Sequence, residues 1–361
     1  MARSAEVLVI EPKVNNRLED NFGRRFSYLR LSITEQCNFR CQYCLPDGSS
    51  VDASCSKAEL TLPEIELLVR SFAALGTKKV RISGGEPSLR KDLCDIIRTI
   101  KAIPGIETVA LSTNGYRLKK DVKAWRDVGL DQLNISIDSL DAATFALITG
   151  QDRLSDILEG LEIASELGFN AVKINTVLLK FYNAMALPDF LEFVQKRNIS
   201  LRFIELMQTG DSNAFFIKQQ QSAEAWCDKL QQQGWQLTKP ALHAGPAREY
   251  QHPDYQGKIG FITPYSQHFC DDCNRLRVSS TGQLFLCLFA EQHQNMRPLL
   301  QKVLRSVLQH SEVQQSKSPQ QKPDTQVIQQ WLQQQVQQKT ASHLLTSQQT
   351  GATRHFAMIG G

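Results

Sequence analysis

From Tyr28 onward the chain alternates two hydrophobic rhythms, and this alternation restricts the possible fold more than any other feature. Short runs rich in apolar and β-branched residues, at 28–33, 79–83, 107–112, 132–137, 171–179 and 200–206, have strand character. Between them, over 62–76, 89–101, 119–128, 141–167 and 184–196, apolar positions recur at helical spacing. The helices carry their own end signals. Thr61 is placed to cap the first, Pro63 sits early, where a missing N–H does no harm, and Glu64 and Glu66 favour the positive end of the helix dipole. Gly76, Gly129 and Gly168 are stop signals, and Gly150 divides 141–167 into two pieces. Parallel neighbours need crossover helices, so six such units predict an α/β fold with a parallel sheet, as an open or a closed barrel.

In a barrel of this kind functional groups gather at the C-terminal ends of the strands. Cys37-x3-Cys41-x2-Cys44 follows the first strand, Gly84-Gly85-Glu86-Pro87 the second and Thr113-Asn114-Gly115 the third. Ser136 to Ser139 ends the fourth, Asn175 and Thr176 lie on the fifth, and Glu205 ends the sixth. All of this polar sequence is expected to converge on one mouth. Three cysteines in one loop are informative. A structural metal site closes its shell with four ligands and a dithiol needs two, so three leave one coordination position open. In Gly-Gly-Glu-Pro the glycines are expected to let backbone approach a ligand, and the carboxylate to attract an ammonium group.

With 361 residues, 42% apolar and 22% charged, the chain can bury a sizeable core. Six of its nine cysteines fall into two groups, Cys37, Cys41, Cys44 and Cys270, Cys273, Cys287, which reads as metal ligation in a reducing compartment rather than a disulfide framework. Cys55, Cys94 and Cys227 are isolated and read as small apolar fillers. The first twenty residues mix charged and apolar types, no signal peptide fits, and no run approaches a membrane span, so a cytoplasmic protein without membrane contact is expected. A net charge of +4 gives no argument for nucleic acid.

The expected organisation is an N-terminal arm over 1–26, the barrel over 27–210, a second region over 211–310 and a C-terminal part over 311–361. The second region holds a helix at 222–233 and strands at 258–263, 275–280 and 283–288, with Thr281-Gly282 as a hairpin turn. Residues 312–349 contain fourteen glutamines and read as a solvated linker, followed by a helix around 325–339 and a tail ending in Gly360-Gly361.

The first cysteine group, with Tyr43 before its last member, resembles the radical S-adenosylmethionine (SAM) superfamily. Gly84 to Pro87 falls where that superfamily meets the SAM amino group. The resemblance implies a [4Fe–4S] cluster on Cys37, Cys41 and Cys44, SAM on its open iron, and a 5′-deoxyadenosyl radical. A zinc knuckle is the alternative, but the first histidine in the sequence is His243. At the second group a zinc ribbon completed by His268 or His293 stays open on spacing alone. However, Cys273-Asn-Arg-Leu-Arg-Val, together with Phe22 to Arg25, Tyr28 to Ser32, Arg81 to Pro87, Ser136 to Asp141, Lys173-Ile-Asn and Arg202 to Met207, resembles the GTP 3′,8-cyclases of molybdenum cofactor biosynthesis. The resemblance runs from about Leu18 to Gln294.

That resemblance implies a partial (β/α)6 TIM-like barrel of the radical SAM type with a C-terminal extension carrying a second [4Fe–4S] cluster on Cys270, Cys273 and Cys287. It implies conversion of GTP to (8S)-3′,8-cyclo-7,8-dihydroguanosine 5′-triphosphate, with Cys37, Cys41, Cys44, Arg275 and Arg277 as catalytic groups. SAM contacts are implied for Tyr43, Gly85, Ser136 and Met207. GTP contacts are implied for Arg30, Arg81, Ser112, Lys173, Arg275, Leu276 and Arg277. Ser112 stands where the family usually has Thr and keeps the hydroxyl. In the family the closing Gly-Gly reaches into the active site. A homodimer, a reducing partner such as flavodoxin and a downstream cyclic pyranopterin monophosphate synthase are further implications.

The residues add support of their own. Arg30, Lys79, Arg81, Lys173, Arg202, Arg275 and Arg277 converge from different strands, and such cations repel one another unless a polyanion joins them. A peptide-modifying radical SAM protein predicts fewer converging cations, and a zinc-dependent binding module predicts zinc at both cysteine groups.

Overall fold

A computed structural model describes residues 17–48, 58–210, 213–239, 245–313, 325–343, 345 and 350–359. Most of the N-terminal arm, Cys55, the early Gln-rich stretch and Gly360-Gly361 lie outside the described residues. The six expected strands form, as β1 (Tyr28–Ser32), β2 (Lys79–Ser83), β3 (Thr108–Thr113), β4 (Gln132–Ser136), β5 (Ala171–Leu178) and β6 (Ser200–Glu205). Each is a parallel neighbour of the next. The crossovers are α1 (Leu62–Ala74), α2 (Leu93–Lys101), α3 (Leu118–Asp127), the pair α4 (Ala142–Thr149) and α5 (Leu154–Glu166), and α6 (Leu187–Gln195).

Local chemistry sets the ends of these elements. Glu64 N–H donates to Thr61 Oγ1 at the start of α1, and the Glu64 carboxylate reaches back to Thr61 N–H, a reciprocal cap. Gly150 ends α4 with φ +69°, in the left-handed region that favours glycine.

The rest of the chain is α7 (Asn213–Gln219), α8 (Glu224–Gln232), β7 (Gln236–Leu237), β8 (Arg248–Gln251), β9 (Lys258–Ile262), β10 (Arg275–Val278), β11 (Gln283–Phe285), β12 (Gln294–Asn295), α9 (Arg297–Val313) and α10 (Gln326–Val336). Its strands do not build a separate sheet. β9 lies parallel beside β6 and β10 lies parallel beside β1, so the sheet gains a parallel strand at each edge of the six. Antiparallel strands finish both sides, in the order β12-β11-β10-β1-β2-β3-β4-β5-β6-β9-β8-β7, which leaves the barrel partly open. The expected regions 27–210 and 211–310 thus share one sheet, and α9 runs past position 310.

The two faces of the strands divide the work. Val80, Ile82, Val109, Leu111, Leu133, Ile135, Ile174, Leu201 and Phe203 are fully buried in the main hydrophobic core. The alternate positions hold Arg30, Lys79, Arg81, Asn134, Lys173 and Arg202, which line a cavity inside the barrel. A barrel interior is ordinarily filled by branched apolar side chains. Here it is polar and hollow.

Candidate active site

The first cysteine loop hangs from two anchors. Arg40 N–H and Gln42 N–H donate to the carbonyls of Thr149 and Ile148 at 2.9 and 3.0 Å, tying the loop to the end of α4. Phe39, buried between the first two cysteines in sequence, meets the Phe145 ring edge-on at 6.3 Å. The second anchor is the Gly84-Gly85-Glu86 turn. Gly85 N–H donates to Thr34 O at 2.9 Å and Glu86 N–H to Gln36 O at 2.7 Å.

Glu86 corrects one expectation. Its side chain is 0% exposed and accepts from Ser88 N–H, Thr113 Oγ1 and Asn114 N–H at 2.9, 2.8 and 2.6 Å. The carboxylate therefore splices the turn after β2 to the turn after β3 and is not turned toward a ligand's ammonium group.

Cys37, Cys41 and Cys44 line a cavity of about 170 Å³ at the C-terminal end of the strands. Tyr43, Gly85, Ser112, Ser136 and Met207 line the same cavity. Tyr43 Oη donates to Asp138 Oδ2 at 2.8 Å, and Asp138 Oδ1 accepts from Val177 N–H at 2.8 Å. Burial lifts the Asp138 carboxyl to about 6 against these two hydrogen bonds. Burial also pushes the Cys37 thiol up to about 11 and Cys44 to about 12, so these thiols need a cation to become thiolates. Among the described residues no three Cys, His, Asp or Glu side chains gather tightly enough for a single ion. Three thiols spread over one cavity wall suit a cluster in which each binds a different iron.

The second group sits at the end of the barrel opposite the mouth, where Cys37, Gly84, Thr113, Ser136, Asn175 and Glu205 gather as expected. Cys270 and Cys273 precede β10, whose parallel pairing sets Arg275 beside Tyr28 and Arg277 beside Arg30. Tyr28 N–H at the start of β1 donates to Asn274 O at 3.2 Å. Cys287 follows β11, which runs antiparallel to β10 and returns to the same end. The three line a second cavity, of about 120 Å³, together with Arg30, Lys79, Arg81, Lys173, Arg202, Arg275 and Arg277. The two cavities meet at Asn175, Ile204 and Met207.

Electrostatics differ at the two ends. Burial raises the Cys273 thiol, but Arg275, Lys339 and Arg24 outweigh it and bring it down to about 7. Burial beside Arg202, Lys79 and Arg81 takes Lys173 down to about 7, and burial takes Lys79 down to about 8. Burial pushes the Tyr28 phenol up, yet the fields of Arg81, Arg30 and Lys79 carry it down to about 7.

Individual cations are held in place. Arg81 Nε donates to Tyr28 Oη, and its Nη1 donates to Ser112 Oγ at 3.1 Å. Ser112 lines the first cavity and reaches the second through this bond. Lys79 Nζ donates to Gln132 Oε1 at 2.7 Å. Arg202 is already paired, with its Nη2 2.6 Å from Glu249 Oε1. Leu276 stands apart from the expected contacts, because its side chain is 1% exposed and packs in the main core.

Several participants gave no signal in the sequence. Glu249 lies on the four-residue β8. Lys339 and His343 enter the second cavity from the chain after α10. Phe356 and Ala357 close the first, where their backbone N–H groups face Cys44. Tyr28 was findable, since it shares a strand face with Arg30.

A sheet of this topology with three open-sited cysteines after β1 defines a radical SAM protein, and sequence comparison agrees. Residues 31–194 match the radical SAM superfamily and residues 199–345 match the family described as Molybdenum Cofactor Synthesis C. Among solved structures, Streptococcus suis SuiB bound to S-adenosylmethionine superposes with a TM-score of 0.58 at 14% identity, over 84% of this chain and 68% of its own, a likeness of fold. The chain is 49% identical over 350 residues to a GTP 3′,8-cyclase of Shewanella denitrificans, covering 97% of this chain and 98% of that one. GTP 3′,8-cyclases of Tolumonas auensis and Vibrio cholerae are 49% and 47% identical, over 97% and 96% of this chain and 98% of each relative. The chain belongs to the GTP 3′,8-cyclase family. SAM and [4Fe–4S] clusters are the cofactors of that family, and the donor sets at the two ends fit them.

Proposed function

We propose that this chain converts GTP to (8S)-3′,8-cyclo-7,8-dihydroguanosine 5′-triphosphate, the first step of molybdenum cofactor (molybdopterin) biosynthesis. In this reading Cys37, Cys41 and Cys44 hold the cluster that meets SAM, and Cys270, Cys273 and Cys287 hold the second. The observation that carries it is the pair of cysteine-walled cavities joined inside one barrel, with the cations gathered between the two ends. When bound, the clusters and SAM supply one-electron chemistry that removes a hydrogen atom from the substrate.

The chain's own residues bind and orient. Arg30, Arg81, Lys173, Arg275 and Arg277 grip the triphosphate, with Ser112 steadying Arg81. Tyr43, Gly85, Ser136 and Met207 bound the SAM side. Asn175, Ile204 and Met207 form the junction where the two ligands meet, and fixed orientation there is the main contribution of the protein.

The reading extends to a cytoplasmic homodimer that takes electrons from a partner such as flavodoxin and passes its product to cyclic pyranopterin monophosphate synthase. No helix among the described residues is long and apolar enough to cross a membrane. Anaerobically purified protein is expected to carry about eight iron atoms per chain. Reduced and supplied with SAM and GTP, it is expected to form 5′-deoxyadenosine and a cyclised nucleotide together. Stoichiometric zinc, or 5′-deoxyadenosine formation that ignores GTP, refutes the proposal.

A further inference from the structure

Half of the exposed large apolar side chains among the described residues gather in one place. Leu147 on α4, Phe181 and Met185 in the loop after β5, and Ile217 on α7 stand out to solvent, Met185 being 89% exposed and Ile217 73%. Hydrogen bonds join the segments that carry them to one another and to the first cysteine loop. Gln42 Nε2 donates to Leu147 O at 2.7 Å, and Tyr182 Oη donates to Gln42 Oε1 at 2.9 Å. Phe181 N–H donates to Gln219 Oε1 at 3.1 Å, and Lys180 N–H to Gln219 O at 2.9 Å. Contiguous exposed apolar surface marks a place where a partner binds.

Two observations indicate which partner. The first is position: under the patch Ile148, Leu179 and Leu206 form a small buried cluster against which Tyr43, Phe215 and Phe216 pack. Tyr43 and Leu206 also line the first cavity with Cys37, Cys41 and Cys44, so this cluster backs the patch on one side and the cavity on the other. The second is charge. The contributing segments, 39–45, 142–151, 178–188 and 213–220, contain three charged residues, Arg40, Lys180 and Lys218, all basic and all exposed. Lys180 Nζ lies over the Phe181 ring, 5.6 Å from its centroid. An apolar centre with a basic rim is complementary to a partner whose own apolar centre has an acidic rim.

We infer that this patch is the docking surface for an acidic electron-carrier protein. One electron leaves the carrier's reduced cofactor, which is oxidised by one electron, and enters the cluster on Cys37, Cys41 and Cys44, which is reduced by one. It is spent in breaking the S–C5′ bond of SAM, giving methionine and the 5′-deoxyadenosyl radical. The inference rests on the reading of the first cavity as the SAM site.

The test uses anaerobic holoenzyme and an acidic flavodoxin as the probe. It measures the Kd of the complex at low and high salt, and the rate of 5′-deoxyadenosine formation with reduced flavodoxin or with dithionite as electron source. Wild type is expected to bind flavodoxin more tightly at low salt. I217E and the double variant K180E/K218E are each expected to raise Kd about tenfold, the scale of one interface hot spot. The flavodoxin-driven rate is expected to fall with the affinity. Iron content and the dithionite-driven rate are expected to stay at wild type, because the altered side chains stand in solvent.

An unchanged Kd in both variants overturns the inference, as does an equal fall in the flavodoxin-driven and dithionite-driven rates. A changed oligomeric state in I217E also overturns it, by making the patch an interface between copies of this chain. Wild type that forms no 5′-deoxyadenosine even with dithionite removes the reading of the first cavity and this inference together. Dithionite-driven activity without flavodoxin binding removes this inference alone.

Discussion

Gly85→Ala isolates the contact that holds the first cysteine loop. A Cβ on Gly85 would stand 2.2 Å from Gln36 O and 2.6 Å from Glu35 O, both backbone atoms that no rotamer change can move aside. Real Cβ atoms essentially never come within 3.0 Å of such a neighbour, so the loop must retreat by roughly 0.8 Å. That motion strains the Gly85 N–H to Thr34 O and Glu86 N–H to Gln36 O hydrogen bonds, now 2.9 and 2.7 Å. Two lost bonds at ~1 kcal/mol each and overpacking of ~1–3 kcal/mol give about 3–5 kcal/mol, concentrated at the residue before Cys37. The expected outcome is selective loss of the first cluster. Iron should fall from about eight to about four per chain, SAM cleavage should vanish, and GTP should still bind at the far end of the barrel. Iron analysis with spectroscopy of each cluster and a GTP titration check this. A Gly85→Ala protein with full iron and an unchanged unfolding midpoint would show that the turn does not support the loop as the distances imply.

Two further outcomes concern the polar interior. Glu249→Gln leaves the buried Arg202 guanidinium without its 2.6 Å carboxylate partner, so the protein should lose ~3 kcal/mol of stability in denaturant unfolding; an unchanged unfolding midpoint would count against the pair. Lys173 and Tyr28, both brought down to about 7, are largely deprotonated in the empty cavity at pH 8. A polyanion favours their protonated forms, so GTP binding at pH 8 should take up protons and weaken as pH rises from 7 to 8.5. Calorimetry in two buffers of different ionisation enthalpy reads this directly, and identical heats in both would refute it.

The six central strands were legible because each carries a complete pattern within five to eight residues: apolar side chains toward the helices and polar ones alternating with them. Gly150 announced the break between α4 and α5 for a backbone reason, its positive φ. The edges of the sheet were harder to read. β7 and β12 have two residues each and owe their pairing to neighbours distant in sequence, so no period exists to detect. Glu249 was missed for the same reason. Glu86 shows a different limit: the turn and its glycines were visible, but which way a carboxylate points depends on three donors supplied by two other segments. The placement of the second cysteine group at the opposite end was not legible, because strand direction, not residue type, decides it. Cys270 and Cys273 precede a parallel strand, while Cys37 follows one.

That directional fact explains why the cations belong to the middle of the barrel. β1 is five residues long and spans about 16 Å, so one cysteine group lies beyond its end and the other before its start. A nucleoside triphosphate can occupy such a length only inside the barrel, where ordinary apolar packing would leave no room. The strands therefore place their hydrophobic side chains outward against the helices and give the interior to Arg30, Arg81, Lys173 and Arg277. Without an anion these groups repel one another, and burial beside Arg277 lowers even Arg30 below its ordinary value. The cost is bearable because β9 and β10 extend the sheet on both sides of the six strands, adding the apolar contacts of Ile259, Phe261, Leu276 and Val278 to the core. The C-terminal region thus supplies both the second cysteine group and part of the packing that offsets a hollow, charged barrel.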